Sequence, residues 1–255
     1  MIDKIERRSM EKFTSDLCYL LLVHMLIILT FFSFSKAQNS DSARVEIKKC
    51  SDFKINGEGS DQAWEKTDWI RLLQRTPGDP RDTYLKILYS DSGLYFLFNC
   101  QDTRLTATMK EDFLDLWNED VVEVFLWPDE DYPVYFEYEL SPLNYELPLL
   151  IPNLKGKFLG WRPWHYQGER KVCHATSVQG GPKESGSVIT GWKAEFFIPF
   201  QLLSPLGNVP PSSGTTWRVN FYRCDYDTGK MEYWSWRPIK NRFHEFEKFG
   251  LLSFQ

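Results

Sequence analysis

Several features are scarce in this sequence, and each scarcity excludes a class of function. No long basic run occurs beyond the N-terminus, and the formal net charge of the 255 residues is -5 at pH 7. A nucleic-acid-binding surface needs clustered lysine and arginine, so nucleic acid is not the expected partner. Only 5 cysteines and 4 histidines are present, and their spacing is not typical of a zinc site.

The cysteines that follow the N-terminal region are Cys50, Cys100, Cys173 and Cys224. An even number permits disulfides in an exported protein. These four are widely spaced, however, and Cys100 and Cys173 lie in apolar strand patterns. Buried free thiols are therefore the alternative to disulfides.

Long hydrophobic runs are absent except for one near the N-terminus, Leu17 to Phe34. Basic residues precede it, and the small residues Ser35 and Ala37 follow at the two positions that a signal peptidase reads. These features predict a signal peptide over residues 1–37 and one domain over residues 38–255. The mature protein is then exported to the periplasm, the cell surface or the extracellular space. Because the run is as long as a membrane span requires, an uncleaved anchor is the alternative.

Helical periodicity is also rare, whereas short runs of β-branched and aromatic residues recur along the chain. Tyr84 to Tyr89 and Leu94 to Cys100, for example, flank the polar stretch Ser90 to Gly93, which predicts a hairpin. No repeat period is visible. We therefore predict an all-β fold, a jelly-roll-like antiparallel β-sandwich of two sheets with one or two short helical turns.

Aromatic residues are abundant, at 16% of the chain with 10 Trp and 12 Tyr. Trp117 lies in a short polar turn, and a strongly β-type run that contains Glu123 follows it. A tryptophan ring offers an apolar stacking surface and a carboxylate accepts hydroxyl hydrogen bonds, so the pair suits a sugar. The alternative is a core Trp117 and a solvated Glu123. Alternation along the strand places Glu123 with Val121, Phe125 and Trp127, opposite Val122, Val124 and Leu126.

Six short motifs in the right order make the sequence resemble carbohydrate-binding module family 9. The resemblance covers residues 44–255, and no single motif carries it alone. The motifs are Gly57 to Trp64, Tyr84 to Ile87 with Leu94-Tyr95, Trp117 to Phe125, Gly191 to Pro199, Trp234 to Trp236 and Lys248 to Phe254.

The resemblance implies a β-sandwich with bound calcium and a slot in which two tryptophans clasp a sugar. Such slots often take the reducing end of a glucan or a xylan. Trp117 matches the first tryptophan, and Glu123 matches the sugar-binding glutamate of the family. Phe243 stands near the place of the second tryptophan, and Glu137 replaces a basic residue, which inverts a charge beside Glu123.

An aromatic insertion that shorter family members lack holds Trp161 and Trp164, and either ring can rebuild the slot. Asn220 and Arg223, on the predicted strand from 217 to 224, are further candidates for binding sugar hydroxyls. If that strand is regular, Arg223 faces away from Asn220.

The primary hypothesis is a secreted, monomeric, non-catalytic protein that binds a plant-type glycan, xylan-like or glucan-like, or its oligosaccharides. After cleavage of the signal peptide we expect no membrane association. The first alternative is a glycoside hydrolase, or an accessory component of a xylanase-type system, because hydrolysis needs a pair of carboxylates. The acids available for such a pair are Glu119, Asp120, Glu123, Glu137 and Glu139.

The sequence also offers candidate residues for two further ligands, haem and calcium. A haem-binding sandwich needs an axial methionine or histidine pair, and the candidates are Met109, His165, His174 and His244. Calcium prefers oxygen ligands that converge from turns, and the candidates are Asp61, Asp91 and Asp102. The alternative for each aspartate is an ordinary turn or cap residue.

Overall fold

The computed structural model describes residues 43–154 and 157–255. The predicted signal peptide lies outside the described residues and stays a prediction. Within them the only α-helix is α1, Phe200–Leu203. The strands are β1 Arg44–Lys49, β2 Ile70–Gln74, β3 Thr83–Tyr89, β4 Gly93–Gln101, β5 Val121–Trp127, β6 Val134–Leu140, β7 Glu146–Leu154, β8 Lys157–Phe158, β9 Arg162–Pro163, β10 Cys173–Gln179, β11 Gly191–Pro199, β12 Thr216–Asp225, β13 Glu232–Ser235 and β14 Gly250–Phe254.

Short 3₁₀ turns connect some of these strands. The two that matter for the site are Leu116–Asn118, before β5, and Phe246–Lys248, before β14. The others are Gln62–Lys66, Gly168–Arg170 and Ser204–Leu206.

The strands form two mostly antiparallel layers. The first sheet runs β10-β11-β4-β3, and the second runs β14-β12-β5-β6-β7. Hydrogen bonding is continuous between them because β1 pairs in parallel first with β14 and then with β3. The pairing of β2 with β13 is a second connection.

The main core lies between the two sheets. Phe196 of β11 meets Tyr138 of β6 with ring centroids 5.0 Å apart, and Phe96 of β4 meets Phe221 of β12 at 6.2 Å. The aliphatic face of β5 joins this core, as the alternation predicts. The prediction of an all-β sandwich is therefore confirmed, and burial of this apolar surface is its main source of stability.

The outer face of the second sheet is covered as well, and all seven residues of β5 are buried. Phe125, Tyr135 and Tyr222 lie on this face, with Leu116 and Phe249 packed against them from the neighbouring turns. A strand that is buried on both faces reads as a continuous apolar run. Glu123 interrupts that run, so the carboxyl group lies beneath the covering segments and not in solvent.

The four cysteines that follow the predicted leader are free. Cys50, Cys100 and Cys224 are buried, and Cys173 is exposed. The alternative of buried thiols thus holds for three of the four. Across residues 43–154 and 157–255 there is also no helix with the length and apolarity needed to cross a membrane.

Candidate functional site

A cavity of about 380 Å³ opens on the outer face of the second sheet. Strands β5, β6 and β12 form its floor, which is lined by the buried residues Glu123, Phe125, Glu137 and Cys224. The walls come from the turn that precedes β5, from the aromatic insertion and from the loop that precedes β14. Five of the eight sugar-binding residues predicted from the sequence line this one cavity: Trp117, Glu123, Glu137, Trp161 and Phe243.

Strand register places three acids on the floor side of the sheet. Glu123 of β5 stands directly opposite Glu139 of β6, and Phe125 stands opposite Glu137. All three glutamates are buried. Among the described residues no lysine or arginine forms an ion pair with any of them. Both oxygens of Glu139 and Oε2 of Glu137 are buried without a donor from another residue type, and the two carboxyl groups share a hydrogen bond when one of them is protonated. The Cys224 thiol, with Sγ 3.7 Å from Glu123 Oε1, is a weak donor.

Burial sets the protonation of this floor. It raises the pKa of Glu123 to about 8. Burial also raises the pKa of Glu137 well above its usual range, and the neighbouring Glu123 adds to that rise. The pKa of Glu139 rises for the same reasons. Because a buried carboxylate is costly without a cation, these groups are mainly protonated at neutral pH, and each then both donates and accepts hydrogen bonds.

His244 is the basic group nearest to the floor. Its Nδ1 lies 3.8 Å from Glu137 Oε2 and 2.8 Å from the hydroxyl oxygen of Tyr135. Burial and the charge of Arg242 lower the pKa of His244 to about 4. The imidazole is therefore neutral at pH 7 and does not compensate a charge on Glu137.

Aromatic rings form two walls of the cavity. Trp117 meets Trp161 edge to face, with ring centroids 5.4 Å apart and an interplanar angle of 75°. Phe243 stacks on Tyr222 at 4.2 Å and 4°. Trp161 is 41% exposed, so its ring is accessible from solvent. Rings at the walls and carboxyl groups on the floor are the two elements that sugar recognition requires.

The main chain, and not only the ring, holds Trp117 in place. The hydroxyl of Tyr226 donates a hydrogen bond of 2.8 Å to the Trp117 carbonyl. The 3₁₀ turn from Leu116 to Asn118 buries Leu116 and leaves Trp117 half-buried. The ring therefore projects from an anchored turn, which agrees with a role at the surface of the cavity.

Three predicted residues lie elsewhere, and Asn220 is the first correction. Its amide nitrogen donates to the Tyr222 hydroxyl (2.6 Å) and to the Arg237 carbonyl (3.2 Å). Its oxygen accepts from the main-chain N–H groups of Phe221 (3.0 Å) and Arg237 (2.9 Å). Asn220 is fully buried with its hydrogen bonds used internally, so it braces the strand instead of meeting a ligand.

Arg223 is the second correction, because the regular alternation of β12 turns it to the other side of the sheet. There its guanidinium bonds to Asp225 (2.6 Å) and Asp102 (3.0 Å) and lies over the Trp234 ring at 4.5 Å.

Trp164 is the third correction. Its ring packs edge to face on Phe136, 5.8 Å away, against the core between the sheets.

The structure adds cavity residues that sequence reasoning missed. Tyr226 follows the end of β12, Leu149 belongs to β7, Met231 precedes β13, and the others belong to β13 and to the loop after it. Alternation predicts the faces of strands but not the path of a loop, so no simple signal identified this wall. The added residues that matter below are Tyr226, Tyr233, Lys240, Arg242 and His244.

The predicted calcium ligands have separate partners. Asp61 caps a 3₁₀ turn by accepting from the Ala63 N–H at 2.8 Å, and exposed Asp91 pairs with Lys49. Asp102 is buried, and its carboxylate accepts from the Trp192 indole at 3.1 Å. These three aspartates therefore do not converge on one calcium site.

Asp102 instead clusters with Asp225 and Asp227, the one group of three or more such side chains in the described chain whose ligand atoms all lie within 4.8 Å of one another. Arg81 reaches all three, at 3.5, 3.0 and 2.8 Å. Arg223 contacts two of them from its own side. Because guanidinium groups already lie within hydrogen-bond distance of these oxygens, the donor set does not fit calcium.

The remaining acids of the glycoside hydrolase hypothesis and the histidines of the haem hypothesis contact other groups of the protein. Glu119 accepts from the N–H of Met109 (3.0 Å), and Asp120 accepts from the N–H groups of Thr106 (2.6 Å) and Tyr226 (3.0 Å), so both acids hold loops. The histidines contact different groups. His165 packs on Phe113, His174 bonds to Asn144, and His244 bonds to Tyr135.

Comparison with known proteins identifies the class. The model of carbohydrate-binding family 9 matches residues 64–254, and the chain therefore belongs to this family. No curated protein matches the chain.

Solved structures agree on the fold. A candidate carbohydrate-binding protein from Bacteroides uniformis ATCC 8492 is 18% identical with a TM-score of 0.65, over 83% of this chain and 99% of that one. A family 9 module from Caldicellulosiruptor kristjanssonii, solved with cellotriose, is 14% identical with a TM-score of 0.59, over 83% and 93%. A family 9 module from the same organism, solved with glucose, is 14% identical with a TM-score of 0.59, over 83% of this chain and 95% of that one. At these identities the likeness concerns the fold alone.

Proposed function

We propose that this protein is a non-catalytic carbohydrate-binding protein, and that the cavity above β5 and β6 holds one or more sugar units of a glucan-like or xylan-like chain. One observation carries the proposal. The cavity is lined both by the aromatic residues Trp117, Trp161 and Phe243 and by the buried acids Glu123 and Glu137. A sugar ring supplies both complements, an apolar face for the rings and hydroxyl groups for the carboxyls.

Each group has a role in the proposed complex. Trp117 and Phe243 stack on pyranose faces, and Trp161 extends the apolar wall toward solvent. Glu123 and Glu137 hydrogen-bond hydroxyl groups from below, where little water competes. Membership of family 9 supports this proposal, as do the family 9 structures solved with cellotriose and glucose.

The experiment is a glycan array followed by calorimetric titration of the purified protein with the sugars that score. We expect saturable binding of a glucan-type or xylan-type oligosaccharide with one site per chain. Absence of binding to every glycan on the array, by protein with a cooperative thermal melt, would refute the proposal.

We also propose that the protein is exported with cleavage at or near Ala37. The basic start, the apolar run and the small residues at 35 and 37 support this. N-terminal sequencing of the exported protein is expected to begin at or near Gln38. Recovery of residues 10–30 in that protein would contradict cleavage.

A further inference from the structure

The cavity floor holds buried acids that no lysine or arginine of the described residues pairs with. Glu137 lines the cavity, and the neighbouring carboxyl of Glu139 is the hydrogen-bond partner of its buried side chain. The one partner recorded for the Glu123 side chain is the Cys224 thiol. Burying acids without a basic partner is costly, so two such acids in the lining of an open pocket indicate a ligand that supplies the partner.

No other group around the floor supplies a cation that would favour the ionised form of Glu123 or Glu137. Glu139 of β6 adds a third acid and Asp115 a more distant one, while Tyr135, Tyr222 and Cys224 are neutral groups on the same face. His244 is neutral at pH 7, because burial and the charge of Arg242 lower its pKa to about 4. Lys240 and Arg242 are exposed at the rim, where the Arg242 guanidinium lies over the Phe158 ring at 5.3 Å. Charges at such a rim are screened by water and salt.

We propose that the preferred ligand is a sugar that carries a primary amine, of the 2-amino-2-deoxy type, whose ammonium group lies between Glu137 and Glu123 at the cavity floor. This inference rests on the proposed function and narrows it to one class of sugar. The ammonium donates charge-assisted hydrogen bonds to the carboxylates, which are stronger than bonds from a neutral hydroxyl. The faces of Trp117 and Trp161 near the same cavity also favour a cation.

Proton release follows from this arrangement. The floor carboxyls are mainly protonated without ligand, and an ammonium group favours their ionised form. Binding of the amine therefore releases a proton from Glu123 or Glu137 to the buffer. A neutral sugar imposes no such ionisation, so the heat of its binding is independent of the buffer.

The test is calorimetric titration at pH 7 of the purified protein with three matched oligosaccharides. These are a trimer of 2-amino-2-deoxyglucose, its N-acetylated counterpart of equal length, and cellotriose. We expect the amine to bind about tenfold or more tightly than the acetylated trimer, the difference typical of one charge-assisted bond. We also expect its binding heat to differ between phosphate and HEPES buffers, while the heat for cellotriose does not.

Two variants locate the effect. Glu137→Gln keeps the shape of the floor and removes the charge, so the preference for the amine should fall to near unity while cellotriose still binds. Glu139→Gln is the matched control, because it removes an acid from the same strand that does not line the cavity. We expect this control to keep most of the preference. A thermal melt of each variant checks that it is folded.

Each contrary result has a distinct meaning. Equal or tighter binding of cellotriose or of the acetylated trimer overturns the amine preference and leaves the proposed function standing. The same holds if a uronic-acid trimer binds best, which would assign the recognition to Lys240 and Arg242. If ethanolamine binds as well as the amino-sugar trimer and no neutral sugar binds, the proposed function itself fails, and the inference fails with it. Binding of none of these compounds overturns both.

Discussion

Glu123 and Glu139 stand directly opposite each other on the antiparallel strands β5 and β6, and both are buried. Two like charges in such a pair destabilise a sheet. Burial raises the pKa of both carboxyl groups, that of Glu123 to about 8, so the pair is accommodated in its neutral form. The floor of the cavity is therefore an uncharged but strongly polar surface, and the protonation of its carboxyl groups depends on the charge of a bound ligand.

The first prediction concerns stability against pH. An unfolded glutamate titrates near its ordinary pKa, whereas folded Glu123 keeps its proton until about pH 8. Between these two values the folded state binds more protons than the unfolded state, so the free energy of unfolding falls as pH rises. The slope is about 1.4 kcal/mol per pH unit for each such group.

Urea unfolding at pH 5 and pH 8 measures this dependence. Glu123→Gln removes one titrating group, so its loss of stability over the same interval should be smaller than that of the wild type. A variant with the same pH slope as the wild type would show that Glu123 is ionised in the folded protein.

The second prediction concerns the aromatic wall. Trp117→Ala removes a ring that lines the cavity but keeps the main-chain bond from Tyr226. We expect sugar affinity to fall by about 1–2 kcal/mol, from the lost burial of apolar area, with a small change in melting temperature.

Trp164→Ala is the matched control, because Trp164 packs on Phe136 beside the core and does not line the cavity. This control should lose stability and keep its sugar affinity. A collapse of the melting temperature in Trp117→Ala, or equal losses of affinity in both variants, would speak against the account.

The third prediction concerns the arginine cluster on the other face of the sheet. Arg223→Met leaves the buried Asp102 and Asp225 with one guanidinium fewer, and breaking such a pair costs about 3–5 kcal/mol. Sugar affinity of the folded fraction should not change. A variant as stable as the wild type would contradict this view of the cluster.

The fourth prediction concerns catalysis. A glycoside hydrolase needs an ionised carboxylate as well as a protonated one, and the buried acids of this floor are mainly protonated together. We expect the purified protein to release no reducing sugar from xylan or cellulose at pH 5 to 7. Release of reducing sugar that Glu123→Gln abolishes would reverse this expectation.

Regular strands made part of this structure predictable from sequence. Alternation assigned Glu123 and the aliphatic residues of β5 to their faces, and the same rule placed Arg223 away from Asn220. The resemblance to family 9 assigned Trp117 and Phe243 to the cavity. Alternation works because the spacing of residues along a strand fixes which face of the sheet each side chain is on. The resemblance works because the order of the motifs fixes which residue matches which family position.

The other site residues could not be predicted from sequence, because they depend on the paths of loops and on competing hydrogen bonds within the protein. Trp161 and Trp164 are three residues apart in an insertion whose only strand, β9, has two residues, so no periodicity separates the exposed ring from the packed one. Asn220 lies on the correct face, yet its amide is used by Tyr222 and Arg237. Neither the path of the loop that carries His244 nor these partners follow from local sequence.

The most direct test of the central claim is a crystal structure of the protein with a bound oligosaccharide, taken from whichever sugar binds most tightly in solution. The account predicts density for a pyranose ring in the cavity, against the Trp117 ring and within hydrogen-bond distance of Glu123 or Glu137. Density for the sugar on another surface, with this cavity empty at saturating concentration, would contradict it.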